Sequence, residues 1–333
     1  LVTIGAALAK APAHAAMRRA HREHLTTHAS RILGPLASCE DVVTEVDWHM
    51  GFIRACRVAS TSARFNRELL PDVAIADVMG WLLDEPGPAR FLQRLTLGIV
   101  KLDGNCYREV TDVIARKPRP SLRTLFVGDF GSVDTELNWS AIDGISALWP
   151  MVPNLRELTL RSGTIEIGPI DLPQLERLTT VSGGFAAAEV AHLAAASWPS
   201  LTDLSLQFGR GHEGAATDVA VVDPILAGTR VPRLRALGLT NQEFGDAVCE
   251  RVVLAKVLPQ LGSLDLSMST LTDDGARILH AHAAKLRHLE SLDVSENYLT
   301  ADGCALLASV ARTVITSHQR TVRHGDRQAL AYE

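Results

Sequence analysis

Residues 289–308 read LESLDVSENYLTADGCALLA, with aliphatic side chains at the first, fourth, sixth and eleventh positions. Residues 261–279 read LGSLDLSMSTLTDDGARIL and place leucines at the same four positions, 28 residues earlier. Gly303 of the later stretch also aligns with Gly275 of the earlier one. The later stretch is therefore one copy of a repeating unit.

The same L-x-x-L-x-L core recurs along most of the chain. Further copies begin at Leu234, Leu201, Leu155, Leu122 and Leu92, and degenerate copies begin at Leu175 and Ile53. A period of this length with this pattern is typical of leucine-rich repeats. Alternate leucines point to one face of a strand, and a single strand cannot bury them alone. We therefore expect an α/β leucine-rich-repeat solenoid, an arc with a parallel concave sheet and a mostly helical convex side.

The segments between the strands are mostly helical in pattern. We predict return helices in residues 106–117, 187–198, 246–258, 273–286 and 301–312. The copy that begins at Leu155 is only 20 residues long and leaves no room for a helix. Repeats of this kind resemble the ribonuclease-inhibitor type of solenoid. Asn297 has the usual residue at its repeat position, but its equivalents in the other copies are not Asn, so we expect a less regular middle of the stack.

The ends of a solenoid need covers for their exposed cores. We expect residues 1–47 to form an N-terminal helical cap and residues 48–309 to form the repeats, with about nine strands. Residues 310–333 lose the repeat pattern and are predicted to be a C-terminal cap or a flexible tail.

The N-terminal block resembles a known family. Residues 6–38, AALAKAPAHAAMRRAHREHLTTHASRILGPLAS, and residues 48–60, WHMGFIRACRVAS, are similar to bacterial leucine-rich-repeat proteins with a short repeat-companion domain, which are abundant in myxobacteria. The matching residues are Leu33, Gly34, Pro35, Leu36, Trp48, Gly51, Phe52, Ile53 and Arg54. Met50 departs from the family pattern. The resemblance implies a repeat scaffold with no established reaction.

Composition excludes several classes of protein. A net charge of −5 with both signs scattered gives no basic footprint for nucleic acid. The sequence contains no run of about 18 consecutive apolar residues, so no transmembrane helix is predicted. Residues 1–15 lack the basic start of a secretion signal. The five cysteines are odd in number and widely spaced, which favours reduced thiols and a cytoplasmic location.

Four motifs invite a chemical interpretation, and each also has a structural one. Gly209, Gly211 and Gly214 match a dinucleotide fingerprint, but they follow a repeat strand and are interpreted as a loop. Residues 129–131, Asp-Phe-Gly, match a kinase triplet without the other kinase motifs.

The remaining two motifs lie in the cap. Cys39 would need a depressed thiol pKa to act as a nucleophile, and a loop residue is the alternative. A stripe of histidines could hold zinc, but a helix face packed on the first repeat is the alternative. The stripe consists of His14, His21, His24 and His28. We predict no cofactor, no metal and no enzymatic activity.

Function is expected on the residues between the strand leucines, which face the concave surface. Arg and aromatic residues are favoured hot spots for binding. The predicted contact residues are Arg94, Phe126, Glu157, Arg161, Arg177, Asp203, Asp265 and Asp293. We predict a noncatalytic scaffold that binds a protein partner of unknown identity, but neither nucleic acid nor membrane. The alternatives are a structural or regulatory subunit of a larger assembly, or an enzyme with a Cys- or His-based site in the cap.

Overall fold

The computed structural model describes residues 2–10, 14–60, 73–84, 87–101, 104–322 and 327–330. Within these residues one sheet contains eleven strands, which neighbour one another almost in chain order. Its strands are β1 Val43–His49, β2 Phe52–Val58, β3 Arg94–Leu97, β5 Thr124–Val127, β7 Glu157–Ser162, β9 Arg177–Ser182, β10 Asp203–Gln207, β11 Ala236–Thr240, β12 Ser263–Asp265, β13 Ser291–Asp293 and β14 Thr313–Ile315. A second sheet contains β4 Asn105–Cys106, β6 Ser140–Ile142 and β8 Thr164–Ile165.

The strand register stacks the repeat leucines in columns. From β2 to β14 every pairing in the large sheet is parallel, and Leu95 lies opposite Leu125, which lies opposite Leu158. These three side chains are almost completely buried. Burial of each leucine contributes about 1.5–3 kcal/mol, so the columns hold successive coils together. The predicted leucine-rich-repeat solenoid is confirmed.

Helices return across the face of the sheet that carries the leucines, and they share one core with them. They are α4 Ile75–Leu83, α5 Arg108–Ala115, α6 Ala187–Ala195, α7 Asp223–Leu226, α8 Gly245–Val252, α9 Asp273–Ala281, α10 Ala283–Leu286 and α11 Ala301–Leu307. Three further helices, α1 Val2–Lys10, α2 Ala15–Thr27 and α3 Ala29–Leu33, precede the sheet in the chain. All five predicted return segments contain a helix. Residues 166–176, after the copy that begins at Leu155, are not helical, as predicted.

The N-terminal block is more than a set of helices. After α1, α2 and α3, a 3-10 helix at Gly34–Ser38 leads into β1, which pairs antiparallel with β2. The predicted boundary between residues 47 and 48 therefore lies inside a strand of the main sheet. Because β1 lies beyond the first repeat strand, it covers an edge that would otherwise expose unpaired backbone groups.

A repeated side-chain bridge joins the helix starts of the C-terminal coils. Asp246 Oδ1 accepts hydrogen bonds from Thr272 N and Gly275 N of the next coil, at 2.7 and 3.1 Å. One coil later, Asp273 Oδ1 accepts from Thr300 N at 2.9 Å. A Cβ atom on Gly303 would lie 2.0 Å from that carboxylate oxygen, so the repeated glycine leaves room for the aspartate of the preceding coil.

Asn297 satisfies backbone groups inside the turn of the preceding coil. Its Nδ2 donates to Leu266 O at 2.9 Å, and its Oδ1 accepts from Leu271 N at 3.1 Å. Gln319 repeats this pattern one coil later: its Nε2 donates to Val294 O at 2.9 Å and its Oε1 accepts from Leu299 N at 3.0 Å. Buried backbone groups need such partners, and a Gln can supply the same two contacts as an Asn.

Residues 310–333, for which we expected a C-terminal cap or a flexible tail, begin with a segment that joins the stack. Residues 313–319 form a further coil, because β14 pairs in parallel with β13 and Gln319 has the role of Asn297. The repeat pattern is hidden in the sequence because the leucine positions of this coil are Val314 and Thr316, and its Asn position is a Gln. The repeats thus extend beyond residue 309.

Serine side chains replace the asparagines in the middle of the stack. Ser140 Oγ accepts from Gly163 N at 3.1 Å, and Ser182 Oγ donates to Gly163 O at 2.9 Å. Ser182 Oγ also accepts from Gly184 N at 3.1 Å. In the middle of the stack, neighbouring backbone or water was expected to satisfy the buried backbone groups of the turns. These serine hydroxyls satisfy some of those backbone groups instead.

We expect Gln319→Ala to lower the free energy of unfolding by about 1–3 kcal/mol, because it leaves the buried N–H of Leu299 without its acceptor and removes one of the two donors to Val294 O. Gln174→Ala, at an exposed loop position, is the matched control and is expected to change stability by less than about 0.5 kcal/mol. Urea unfolding of the full chain measures both. Equal stability of the two variants would show that residues 313–319 do not form a coil of the solenoid.

Candidate functional site

The face of the sheet opposite the helices, which we call the open face, carries the residues between the leucines. Strand register arranges them in rows that cross the sheet. The first row contains Ala55, Arg94, Thr124, Glu157, Arg177, Asp203, Ala236, Ser263, Ser291 and Thr313. The second row contains Arg57, Thr96, Phe126, Thr159, Thr179, Ser205, Gly238, Asp265, Asp293 and Ile315. A shorter third row contains Arg161, Val181, Gln207 and Thr240.

All eight predicted contact residues lie in these rows. Four are in the first row, three in the second, and Arg161 is in the third. Arg94 and Arg177 are exposed, and the other six are partly exposed. The rows therefore bring together residues that are up to about 200 positions apart in the chain.

Two of the predicted contact residues, Glu157 and Arg177, are paired with each other. They lie directly opposite one another on β7 and β9 and form an ion pair. Both side chains are substantially exposed, so the ion pair contributes little to stability. By contrast, Arg94 and Phe126 have no ion pair, side-chain hydrogen bond or ring contact among the described residues. Phe126 lies on the strand next to Arg94, two residues further along.

Two arginines of the rows are held by the loop after β5. Arg57 Nε donates to Asp129 Oδ2 at 2.6 Å, and its Nη2 donates to Asp129 O at 2.8 Å. The guanidinium of Arg161 stacks on the Phe130 ring, 4.6 Å from its centroid, and donates to Phe130 O. These contacts give Asp129 and Phe130 a structural role, so they favour a structural interpretation of the Asp-Phe-Gly triplet over a kinase motif.

Gly98 makes the Arg57 contact possible. Arg57 reaches from β2 to the loop after β5, past the end of β3. A Cβ atom on Gly98 would lie 2.5 Å from Arg57 Nη2. The buried Tyr107 donates its hydroxyl to Gly98 O at 2.9 Å and holds this backbone in place. The repeat pattern places Arg57 between strand leucines, but it does not indicate that Asp129 is its hydrogen-bond partner, because the two residues are 72 positions apart in the chain.

Two carboxylates lie side by side on the open face. Asp265 and Asp293 are register partners on β12 and β13. Burial raises the pKa of the Asp265 carboxyl above its ordinary value, and the charge of Asp293 raises it further. Hydrogen bonds from Ser267 oppose this shift; its backbone N–H donates to Asp265 Oδ1 at 2.9 Å. The acidic end of the open face thus carries charge that is unfavourable to the folded chain.

The cap offers no accessible nucleophile at Cys39. This thiol is 2% exposed, lies in the main core and points at Pro35 O, 3.7 Å away. A buried thiol in apolar surroundings is inert. The placement favours the structural interpretation of Cys39.

The histidine stripe lies on and beside α2 without forming a metal cluster. Among the described residues, no group of three or more His, Cys, Asp or Glu side chains could hold a metal ion. His14 Nδ1 accepts from Met17 N at the start of α2. His21 is buried against Trp48, with ring centroids 6.1 Å apart, and burial lowers its pKa.

The glycine motif forms a loop. Residues Gly211–Glu213 form a single turn of 3-10 helix, and Gly211 N donates to Glu243 Oε2 at 3.1 Å. A dinucleotide site uses the N-terminus of a long helix after the glycines, and here no such helix follows. The loop interpretation therefore fits the structure.

Comparison with known proteins supports the fold and leaves the function open. No family model and no curated protein matches the chain. A solved protein of Bacteroides fragilis is similar over 92% of this chain and 84% of its own, with 24% identity and a TM-score of 0.71. An internalin of Listeria monocytogenes covers 81% of this chain with 13% identity and a TM-score of 0.35, too low to support an argument. The resemblance to the repeat-companion family stays a prediction.

No helix among the described residues is both long and apolar enough to cross a bilayer. All five cysteines are free thiols.

We expect Asp265→Asn to raise the free energy of unfolding by about 0.5 kcal/mol at pH 7, because it removes one of two facing like charges. Asn keeps an oxygen that accepts from Ser267 N. When folding raises the pKa of a carboxyl, ionisation of that carboxyl destabilises the folded protein as the pH rises through the pKa. At lower pH Asp265 is protonated and the repulsion disappears, so the stability gained by Asp265→Asn is expected to shrink as the pH falls.

Urea unfolding at pH 7 and at pH 4.5 measures the effect. Asp171→Asn, at an exposed loop position, serves as the control for removal of one negative charge. A gain that is equal at the two pH values, or a loss of stability at pH 7, would contradict the strain assigned to the Asp265–Asp293 pair.

Proposed function

We propose that this protein is a noncatalytic scaffold that binds a protein partner through its open face. The observation that carries the proposal is a pair of hot-spot residues, Arg94 and Phe126, on adjacent strands. Among the described residues neither has an ion pair or side-chain hydrogen bond, and both lie on the face opposite the return helices. Arg and large aromatic residues provide most of the binding energy at protein interfaces. Stacked strands of a solenoid offer the extended rigid surface that such partners use.

The charge of the open face suggests the orientation of the partner. Its arginines, Arg57, Arg94, Arg161 and Arg177, lie on β2, β3, β7 and β9. Its aspartates, Asp203, Asp265 and Asp293, lie on β10, β12 and β13. A partner with an acidic region facing Arg94 and a basic region facing Asp265 and Asp293 would match both ends. Charge complementarity of this kind fixes the register and speeds association.

A binding role fits the placement of the reactive side chains. Cys39, Cys56 and Cys249 are buried, and burial raises the pKa of Cys56 to about 12. A thiol with such a pKa is protonated at neutral pH and is a poor nucleophile. We also propose a cytoplasmic location, because five free thiols persist in a reducing compartment.

A photocrosslinking experiment in the native host tests the surface. A benzophenone amino acid placed at Thr124, on the open face beside Arg94 and Phe126, is expected to form an adduct with the partner. The same group at Glu109, exposed on α5, is the matched control on the helical side. Adducts from Glu109 alone would refute the open-face assignment.

A quantitative test follows once the adduct is identified by mass spectrometry. Phe126→Ala and Arg94→Glu are each expected to weaken binding to the purified partner about tenfold or more, as hot-spot substitutions do. Leu254→Ala removes an apolar side chain that is 72% exposed and away from the sheet, and is expected to leave the affinity unchanged. Unchanged affinity in both open-face variants would overturn the proposal.

A further inference from the structure

The chain binds a short segment of its own C-terminal region through that segment's backbone. Residues 327–330 are Arg-Gln-Ala-Leu. The backbone of Gln328, Ala329 and Leu330 makes six hydrogen bonds, and every partner is a side chain. The partner side chains belong to Arg210, Asn241, Tyr298 and Arg320, and we call the surface that they form the loop-edge groove. It lies beyond the C-terminal ends of β10, β11 and β13, and none of its four side chains belongs to the rows of the open face.

Two of these side chains clamp both polar groups of one residue. The Tyr298 hydroxyl donates to Gln328 O at 3.0 Å and accepts from Gln328 N at 3.1 Å. The Asn241 carboxamide accepts from Leu330 N at 2.6 Å and donates to Leu330 O at 3.3 Å. Alternate residues of an extended chain present their N–H and C=O to the same side. The two clamps are therefore spaced for an extended peptide.

The groove selects side chains at one position only. Ala329 is 1% exposed, whereas the side chains of Arg327 and Gln328 are exposed and that of Leu330 is partly exposed. Close packing around a buried alanine leaves no volume for a larger side chain. Main-chain hydrogen bonds that provide affinity, with a pocket that provides specificity, are the common mode of peptide recognition by backbone pairing.

The groove is built by the repeat itself. Asn241, Met268, Glu296 and His318 occupy equivalent positions in four successive coils, and all four have positive φ angles of 50–60°. Asn241 N donates to Ser267 O of the next coil at 3.0 Å. Asn tolerates a positive φ angle better than most residues. The buried carboxamide of Asn241 holds the backbone of Leu330.

The segment is held mostly by exchangeable contacts. Among its side chains only that of Ala329 is buried, and an alanine contributes little hydrophobic free energy. The ion pair of Arg327 with Asp246 spans 3.8 Å, and both side chains are partly exposed. Attachment to the same chain raises the effective concentration of the segment and compensates for these weak contacts.

We propose that the loop-edge groove is a recognition site for an extended peptide of a partner protein with a small central residue. Residues 327–330 occupy the groove in its absence and are displaced when the partner binds. This site is distinct from the open face, so it gives the scaffold a second binding surface. It does not depend on the function proposed above.

Binding of a peptide in trans to the full-length chain tests the proposal. The probe is a fluorescein-labelled peptide of residues 325–333, GDRQALAYE, and the readout is fluorescence anisotropy. Ala329→Arg in the protein is expected to release the internal segment and to strengthen peptide binding about tenfold over the unsubstituted chain, because an occupied site lowers apparent affinity in proportion to its occupancy. A peptide that carries Arg in place of Ala329 is expected not to bind.

A second substitution in the released chain separates the groove from other surfaces. Asn241→Gly keeps the positive φ without strain but deletes the clamp, and is expected to weaken peptide binding about tenfold. His318→Gly makes the same backbone change at the equivalent position of the last coil and is expected to leave binding intact.

Three outcomes would overturn the proposal. One is a released chain that is folded by circular dichroism but does not bind the peptide. Another is peptide binding that survives Asn241→Gly. The third is an unsubstituted chain that is dimeric by light scattering and becomes monomeric with Ala329→Arg, which would assign the groove to the C-terminal segment of a second copy.

Discussion

The structure depends on the burial of two aliphatic columns that no single coil can cover. Leu95, Leu125 and Leu158 are excluded from water because neighbouring strands in register flank them and the return helices pack on them. This requirement aligns the strands in parallel, sends the return segments to one side and leaves the other side open. The open face and its rows of side chains follow from the same burial.

Burial of the leucines creates a second requirement, because each turn also buries polar backbone. The chain meets this requirement in two ways. In the C-terminal coils one carboxamide, from Asn297 or Gln319, bonds an N–H and a carbonyl of the preceding coil. In the middle coils serines make part of these contacts: Ser140 accepts from Gly163 N of the following coil, and Ser182 donates to Gly163 O of the preceding coil. Any residue with both a donor and an acceptor can do this work when the backbone comes close enough, which explains why the repeat sequence varies while the coil persists.

The same architecture separates reactive groups from recognition groups. Thiols such as Cys39 and Cys249 fill the core, where they behave as small apolar side chains. Polar and aromatic groups are left on two surfaces, the open face and the loop-edge groove. In the roles proposed above, Arg94 and Phe126 of the open face would contact a partner, whereas Asn241 and Tyr298 of the groove hold the backbone of Leu330 and Gln328. The open face would then discriminate between partners by their side chains, and the groove mainly by main-chain geometry.

The sequence alone determined the repeat, the parallel sheet, the helical returns and the positions that face outward, because all of these follow from the spacing of aliphatic residues. It also placed all eight candidate contact residues on one face. Tertiary structure decided which of them are engaged: Arg161 stacks on Phe130 and Glu157 pairs with Arg177, contacts that cross between coils. It also revealed the last coil, where Gln319 stands in for Asn, and the contact between Asn241 and Leu330, 89 residues apart. Spacing along the chain records which side chains are buried, but contacts between distant residues exist only after the coils have stacked.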